Sequence, residues 1–314
     1  MTEAVSVTED PALRRRPASP GRLRSHAGTR YPRAVACFVL PFGVLFTLFY
    51  VLPIGYAILE SLYVVRRTGT FGPAREVFGG LAQYERVLSD GPFWQSMGRV
   101  LAFGVVQVPV MLGLALVLAL LLDSGLVKGQ RFFRLAFFVP YAVPGVVAAI
   151  MWGFLYSPDL SPFRRLTGAV DFLSADLVLW AMANVVTWVF VGYNMLIIHA
   201  ALLAIPTEIY ESARLDGAGQ IRIAWSIKIP LVRPAIVLTA VFSIIGTLQL
   251  LAEPQVFRTF SSAVSSTYTP NLTVYSTSSI PNFNLAAAFS VVLALLTFAL
   301  SFGFLKATQR RGFG

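Results

Sequence analysis

Charge is scarce in this sequence. Asp, Glu, Lys and Arg make up 13% of its 314 residues, against roughly 25% in soluble globular domains. Hydrophobic residues make up 56%, and the mean hydropathy is +0.70. So small a polar surface excludes an ordinary water-soluble domain and suits a chain solvated mostly by lipid. Cysteine and histidine are rarer still. Cys37 is the single cysteine, which excludes an internal disulfide, and its place in an apolar run predicts an inert, membrane-facing thiol. His26 and His199 cannot join it in a metal site at any usual ligand spacing. Lysine occurs only as Lys128, Lys228 and Lys306, followed by Gly, Ile and Ala, so no phosphate-binding loop with Gly-Lys before Ser or Thr is present. Nor is there a constellation of His, Asp or Glu at membrane depth, as a membrane-embedded enzyme would need. The net charge of +10 does not point to nucleic acid, because the basic residues lie between and beside apolar runs rather than on a soluble face.

What the sequence does have is long apolar runs. Six occur, at 34–59, 100–122, 135–156, 177–203, 235–252 and 285–305, each near the ~20 residues that cross a bilayer as a helix. The ~10-residue alternating segments of a membrane barrel do not appear. The sequence therefore predicts an all-α integral membrane protein with six transmembrane helices in one bundle. Pro41 and Pro53 in the first run, and Pro140 and Pro144 in the third, predict kinks rather than breaks, since neighbouring groups can re-satisfy the freed carbonyls. Residues 1–33 form a separate region, a polar tail with seven arginines between Arg14 and Arg33 and no apolar pattern from which to build a core. The run that follows is too long for a signal peptide and lacks a small-residue cleavage site. With the N-terminus inside, the connections 123–134, 205–233 and 306–314 hold 10 Lys and Arg in 50 positions, and the opposite connections hold 8 in 89. The bias puts both termini on the cytoplasmic side of a cell membrane.

The connection between the fourth and fifth runs is unusual. Pro206 and Thr207 make a helix start in which Thr207 can cap free amides and Glu208 suits the first turn. A short helix is predicted over about 208–215, then a sharp turn at Gly217 and Gly219, then a second amphipathic helix to Pro230. Ile205, Ile209, Ala213 and Leu215 are apolar among charged neighbours, which leaves one face to pack and one to meet a partner or the membrane surface.

Within it, Glu211-Ser212-Ala213, Asp216-Gly217-Ala218, Ile227 and Ile229-Pro230 stand at the spacing of the "EAA" loop, and the segment resembles that loop of binding-protein-dependent ABC importer permeases. Ser212 replaces an alanine and Ile229 a leucine. The resemblance implies a coupling helix that docks on a separate cytoplasmic ATPase, with Glu211 in the docking face and Gly217 shaping the turn. It implies ATP and Mg bound by that partner, no cofactor in this chain, and no enzymatic activity of its own. Further segments, Phe78 to Tyr84, Arg131 to Pro140 and Leu248 to Pro254, are similar to carbohydrate permeases of the MalF/UgpA type. Residues 261–270 depart from that pattern, being rich in Ser and Thr where the family carries glycine. What the family implies is a type I permease bundle, a homologous second permease subunit, ATPase subunits, an extracytoplasmic solute-binding protein and alternating access. An importer for a non-sugar solute stays open. So does a self-sufficient secondary transporter, although the repeats and intramembrane charges that such a protein carries are not evident.

Polar side chains inside spans are costly and often face a cavity. The candidate solute contacts are Asn184, Trp188, Tyr193 and Asn194 in the fourth run, and Gln249 and Glu253 at the outer half of the fifth. Amides can bond sugar hydroxyls in both directions. Alternatively, Asn184 and Asn194 join helices to each other and Trp188 faces lipid. His199 lacks an acidic partner in a neighbouring run and reads as a packed side chain rather than a proton relay.

Overall fold

The computed structural model describes residues 32–67, 73–125, 127–279 and 282–310. Residues 1–31 of the basic tail lie outside them. The chain divides into two units, residues 1–53 and 54–314. Described residues of the first form helix α1 (Pro32–Phe46) and a wider π-helical turn (Thr47–Val51), after which the helix resumes as α2 (Leu52–Glu60).

In the second unit α2 leads into a two-stranded antiparallel hairpin, β1 (Tyr63–Arg67) with β2 (Ala74–Phe78), in which Tyr63 faces Phe78. Helix α3 (Ala82–Ser89) follows. The sequence between them explains the junction. Gly80 adopts φ +58, a conformation open to glycine, and Gly79 lies against Val64 so closely that a Cβ would come within 2.7 Å of it. Gln83, fully buried, donates to the Tyr63 carbonyl at 3.1 Å, and the Tyr84 and Ser61 hydroxyls meet at 2.6 Å.

The long helices come next: α4 (Gly91–Asp123), α5 (Gln130–Ala142), α6 (Gly145–Tyr156), short α7 (Arg164–Thr167), α8 (Val178–Leu203), α9 (Thr207–Leu215), α10 (Gln220–Ile223), α11 (Ile229–Leu248), α12 (Ala252–Phe257), α13 (Pro270–Ser279) and α14 (Phe283–Arg310). Among the described residues, five helical stretches are long and apolar enough to cross a membrane: Cys37–Glu60, Gly91–Asp123, Val178–Leu203, Gln220–Phe257 and Phe283–Gln309. The α5–α6 pair makes a sixth if taken as one span.

That pair corrects an expectation. The third run is broken, bent by 95° between Ala142 and Gly145. Val143 (φ −78, ψ 126) and Pro144 (φ −54, ψ 134) are extended, because the ring of Pro144 pushes the residue before it out of the helical region. Pro140 stays inside α5. The second span also begins earlier than its apolar run. The Asp90 carboxylate accepts the Phe93 amide at 2.8 Å and Pro92 sits in the first turn, a capping arrangement that starts the helix before the apolar residues do. The fifth stretch widens into a π-helical turn at Ala224–Lys228. Each π turn ends two residues before a proline, Pro53 or Pro230. Proline removes an amide and crowds the preceding turn, and the wider turn relieves both effects.

Helix α8 is the centre of the bundle. Half of its most apolar stretch is buried, against 39% for α4 and 33% for α14, and it packs on α4, α5, α6 and α11. Gly192 lets α5 approach: a Cβ there would overlap the backbone carbonyl of Phe137, the close helix contact that small residues permit in membranes. Backbone cannot swing aside as a side chain can. Gly192→Ala is therefore expected to destabilise the bundle by about 1–3 kcal/mol, as overpacking does, and to lower the midpoint of thermal aggregation in detergent. An unchanged midpoint would show that α5 and α8 do not pack this tightly.

Candidate functional site

Two features of the second unit bear on function. The first is a cavity of about 830 Å³ between α4, the α5–α6 break, α8 and the end of α11. The extended backbone from Ala142 to Pro144 forms part of its wall, irregular structure of the kind that a span tolerates where it lines a cavity. Tyr141 and Tyr193 stack across the wall, with ring centroids 4.6 Å apart and planes at 15°, and Phe190 meets Tyr141 edge-on at 5.7 Å.

Asn194 is almost fully buried in the same wall, donating to the Phe190 carbonyl at 3.1 Å. Gln107 donates from Nε2 to the Thr187 hydroxyl at 3.2 Å, while its buried Oε1 has no hydrogen-bond partner among the described residues. Glu253 contributes a carboxylate and is 7% exposed. Among the described residues, no lysine or arginine lines the cavity. The arrangement offers flat aromatic faces, amide donors and acceptors, and one acidic acceptor.

Four of the six residues singled out by sequence thus meet here: Tyr193, Asn194, Gln249 and Glu253. Two do not. Asn184 donates to the Tyr156 hydroxyl at 2.7 Å, joining α8 to α6, and Trp188 packs edge-on against Trp152 at 5.9 Å. Gln249 and Glu253 are also not within the α11 helix, which ends at Leu248; Glu253 belongs to α12, beyond an irregular turn. Gln107 and Tyr141 are wall residues that sequence reasoning missed. A glutamine in the middle of an apolar run was the available signal for the first; nothing local marks the second.

The Ser/Thr-rich segment 261–270 supports the cavity from outside. Ser261 donates to the Leu173 carbonyl at 2.5 Å, Thr269 to the Leu250 carbonyl at 2.9 Å, and Arg99 reaches the Tyr268 carbonyl at 2.7 Å while lying over its ring. These hydroxyls satisfy the backbone carbonyls of two buried residues, Leu173 and Leu250.

The second feature is the connection 205–230. Its helix α9 matches the predicted span and begins at Thr207, but Thr207 does not cap it; the residue before the helix is Pro206, whose carbonyl accepts the Ile209 amide at 3.3 Å. Gly217 closes the helix with φ +80, and Ala218 donates its amide to the Ala213 carbonyl at 2.9 Å, a C-terminal cap built on a left-handed residue. Gly219 has φ −72 and needs no special freedom. The expected separate amphipathic helix to Pro230 instead runs through the π turn into α11 as one helical stretch.

Glu211, Ser212, Asp216, Gly217 and Pro230 are exposed, and Ala213 and Ala218 are half-buried. Leu215, Ile221 and Trp225 are 90%, 78% and 70% exposed, an apolar group unusual on a free surface. Tyr210 faces the other way, toward Lys228 and Asp123. Burial, and then the Asp123 charge, push its phenol above the ordinary value, so it stays neutral at physiological pH.

Comparison with known proteins agrees with this geometry. Residues 111–312 match the family described as binding-protein-dependent transport system inner membrane component. The lactose transport system permease protein LacF of Rhizobium radiobacter is 32% identical over 287 residues, covering 87% of this chain and 94% of that protein. The sn-glycerol-3-phosphate transport system permease protein UgpA of Agrobacterium fabrum is 30% identical, covering 86% and 94%. The diacetylchitobiose uptake system permease protein NgcF of Streptomyces coelicolor is 26% identical, covering 95% and 89%. Among solved structures, a chain of the bacterial alginate ABC transporter, in complex with its pentasaccharide-bound periplasmic protein, superposes with a TM-score of 0.72 over 90% of this chain and 96% of that one. Its 16% identity shows a shared fold. With more than half its length in the family match, the chain belongs to the binding-protein-dependent transport system inner membrane components, which are transport permeases and not enzymes.

Proposed function

We propose that this chain is the channel subunit of an ATP-driven importer for an uncharged carbohydrate. The cavity carries this reading: stacked Tyr141 and Tyr193 can cover the apolar face of a sugar ring, and Gln107, Asn194 and Glu253 can bond its hydroxyls. The named substrates of LacF and NgcF, lactose and diacetylchitobiose, support the same class. A glycerol phosphoester, as UgpA's name would suggest, fits less well beside Glu253 in a wall where, among the described residues, no cation lies.

The chain works with others. A homologous second permease completes the channel, ATPase subunits lie on the cytoplasmic side with the ATP and Mg, and an extracytoplasmic binding protein delivers solute. No cofactor belongs to this chain. In the coupling loop, the exposed face of Glu211, Ser212 and Asp216, with Leu215 at the tip, enters a cleft on the ATPase. Ala213 and Ala218 hold the closing hydrogen bond, Gly217 makes the turn, and Pro230 sits in the first turn of α11. In this reading the loop and both termini face the cytoplasm, the orientation that the distribution of Lys and Arg favours. Closure of the ATPases moves the loop and turns the cavity outward. Binding protein and ATP then favour one state, which is the differential affinity that coupling requires.

Extraction of the tagged chain from its own membranes in mild detergent tests this. A second six-span chain and a Walker-motif ATPase are expected to co-purify. The accompanying binding protein is expected to gain thermal stability with a neutral sugar and not with glycerol 3-phosphate. Recovery of the chain alone, under conditions that preserve other membrane complexes, would point to a self-sufficient transporter.

A further inference from the structure

Among the described residues, the one side-chain ion pair lies away from the cavity. Asp123, the last residue of α4, pairs with Lys228, the last residue of the π turn. The side chains are 10% and 8% exposed, and the residues are 105 apart in sequence. The Nζ of Lys228 also stands 4.9 Å from the centre of the Tyr210 ring, and Tyr210 belongs to α9. Three elements, α9, the π turn and the end of α4, are thus joined at one point, beside an apolar layer that includes Leu122, Leu202 and Val232.

The local structure aims Lys228 at this point. The π turn closes with an i→i+5 bond, the Ile229 amide to the Ala224 carbonyl, so residues five apart share a face. Ile223 and Lys228 are both buried, while Trp225 between them is 70% exposed. A regular α-helix would rotate position 228 by about 140° from position 223 at 3.6 residues per turn.

The energetics argue against a role in stability alone. Asp123 sits at the C-terminal end of a 33-residue helix, the end that disfavours a negative charge. A buried ion pair often contributes no more to stability than a well-packed apolar pair of similar volume. An ion pair combined with a cation–π contact does, however, fix direction and register, which apolar packing does not. Helix α4 also carries Gln107, in the cavity wall, 16 residues before Asp123, or about 24 Å along a helix rising 1.5 Å per residue.

We propose that Asp123, Lys228 and Tyr210 form a positioning latch that ties the α9 helix to α4, so that displacement of α9 by the ATPase is delivered through α4 to the cavity wall. This rests on the coupling reading of the 205–230 loop. A rigid helix held at one end by a directional contact transmits a rigid-body shift.

The test uses the complete complex, this chain with its co-purified partners, in proteoliposomes. Cys37→Ser removes the native thiol, and Gln255→Cys places a reporter in the cavity wall. The readout is the rate of maleimide labelling of that reporter with and without ATP and vanadate. In the otherwise unaltered chain ATP is expected to change the rate about fivefold or more, and Glu211→Lys is expected to abolish the change.

Single neutralisations such as Asp123→Asn leave a buried charge unpaired and can prevent folding. The decisive variant is therefore Asp123→Leu with Lys228→Met. It is expected to assemble and to hydrolyse ATP within about twofold of the parent, yet to lose the ATP-dependent change in labelling. Tyr210→Phe, which keeps the ring and drops a hydroxyl that has no hydrogen-bond partner among the described residues, is expected to behave as the parent; Tyr210→Leu is expected to lose half the change or more. If the double apolar variant keeps the full change, the latch is refuted and the coupling loop stands. Equal loss of assembly, hydrolysis and labelling change would make the pair merely structural and refute the latch as well. No ATP-dependent change in the parent, or a change untouched by Glu211→Lys, would remove the coupling reading and the latch with it.

Discussion

Valine at position 217 is expected to lower uptake at least about a hundredfold while leaving the membrane helices folded. The reason is conformational. Gly217 has φ +80, and nothing lies within 4 Å of where a Cβ would be. Within this chain, any loss on substitution therefore comes from the backbone and not from crowding. An L-residue in the left-handed region costs about 1–2 kcal/mol, and a β-branched one is a genuine outlier there. The loop can relieve that strain only by giving up the bond from the Ala218 amide to the Ala213 carbonyl, which closes α9 and sets its direction. A displacement of about 1 Å is enough to cost a hundredfold where geometry carries the function. Asparagine tolerates positive φ far better than valine, so Gly217→Asn is expected to stay within a few-fold of the unaltered chain and Gly217→Ala to fall between. Uptake would be measured with the sugar that the binding protein carries, and folding by elution from a sizing column. If valine and asparagine behave alike, the left-handed turn is not what the loop needs; if valine transports normally, the loop is not the coupling element.

The turn was legible in the sequence because its chemistry is local: a helix start at Pro206, a glycine at the helix end, and a spacing that pairs with both. The spans were legible for the same reason, since each announces itself by ~20 apolar residues. The break at Val143 and Pro144 was not. Whether a proline kinks or breaks a span depends on which neighbours re-satisfy the backbone, and here the freed segment lines a cavity instead. Asn184 and Asn194 show the limit most plainly. Ten residues apart on one helix, they look equivalent in sequence. Tertiary packing gives the first to the Tyr156 hydroxyl and the second to the cavity wall. The Asp123–Lys228 pair was hidden for a different reason: both residues fall in connections between apolar runs, where a charge ordinarily reaches water, and 105 residues separate them.

Glu253 leads to the second large effect. Its carboxylate lies in the cavity wall, 7% exposed, and among the described residues it forms no ion pair. An unpaired buried acid is costly to keep unless something donates to it. Hydroxyls of a sugar would do so, and hydrogen bonds to a charged acceptor contribute about 1.5–3 kcal/mol each. Glu253→Gln keeps the shape and half the accepting capacity but removes the charge. Loss of one such interaction with the solute is then expected to lower uptake efficiency by about 10- to 100-fold, at 1.4 kcal/mol per tenfold. The loss should appear in uptake and not in the binding protein's own affinity, since this side chain is not in that protein. It should also exceed the loss from Asn184→Ala, whose side chain is engaged with Tyr156 away from the cavity. Glu253→Lys goes further and reverses the sign of the site. It is expected to abolish uptake of the neutral sugar without disturbing co-purification of the ATPase, because α12 lies at the other end of the fifth span from the coupling loop. Wild-type uptake in Glu253→Gln would mean that the solute path runs past the carboxylate without touching it, and the aromatic pair Tyr141 and Tyr193 would then have to carry recognition in this subunit.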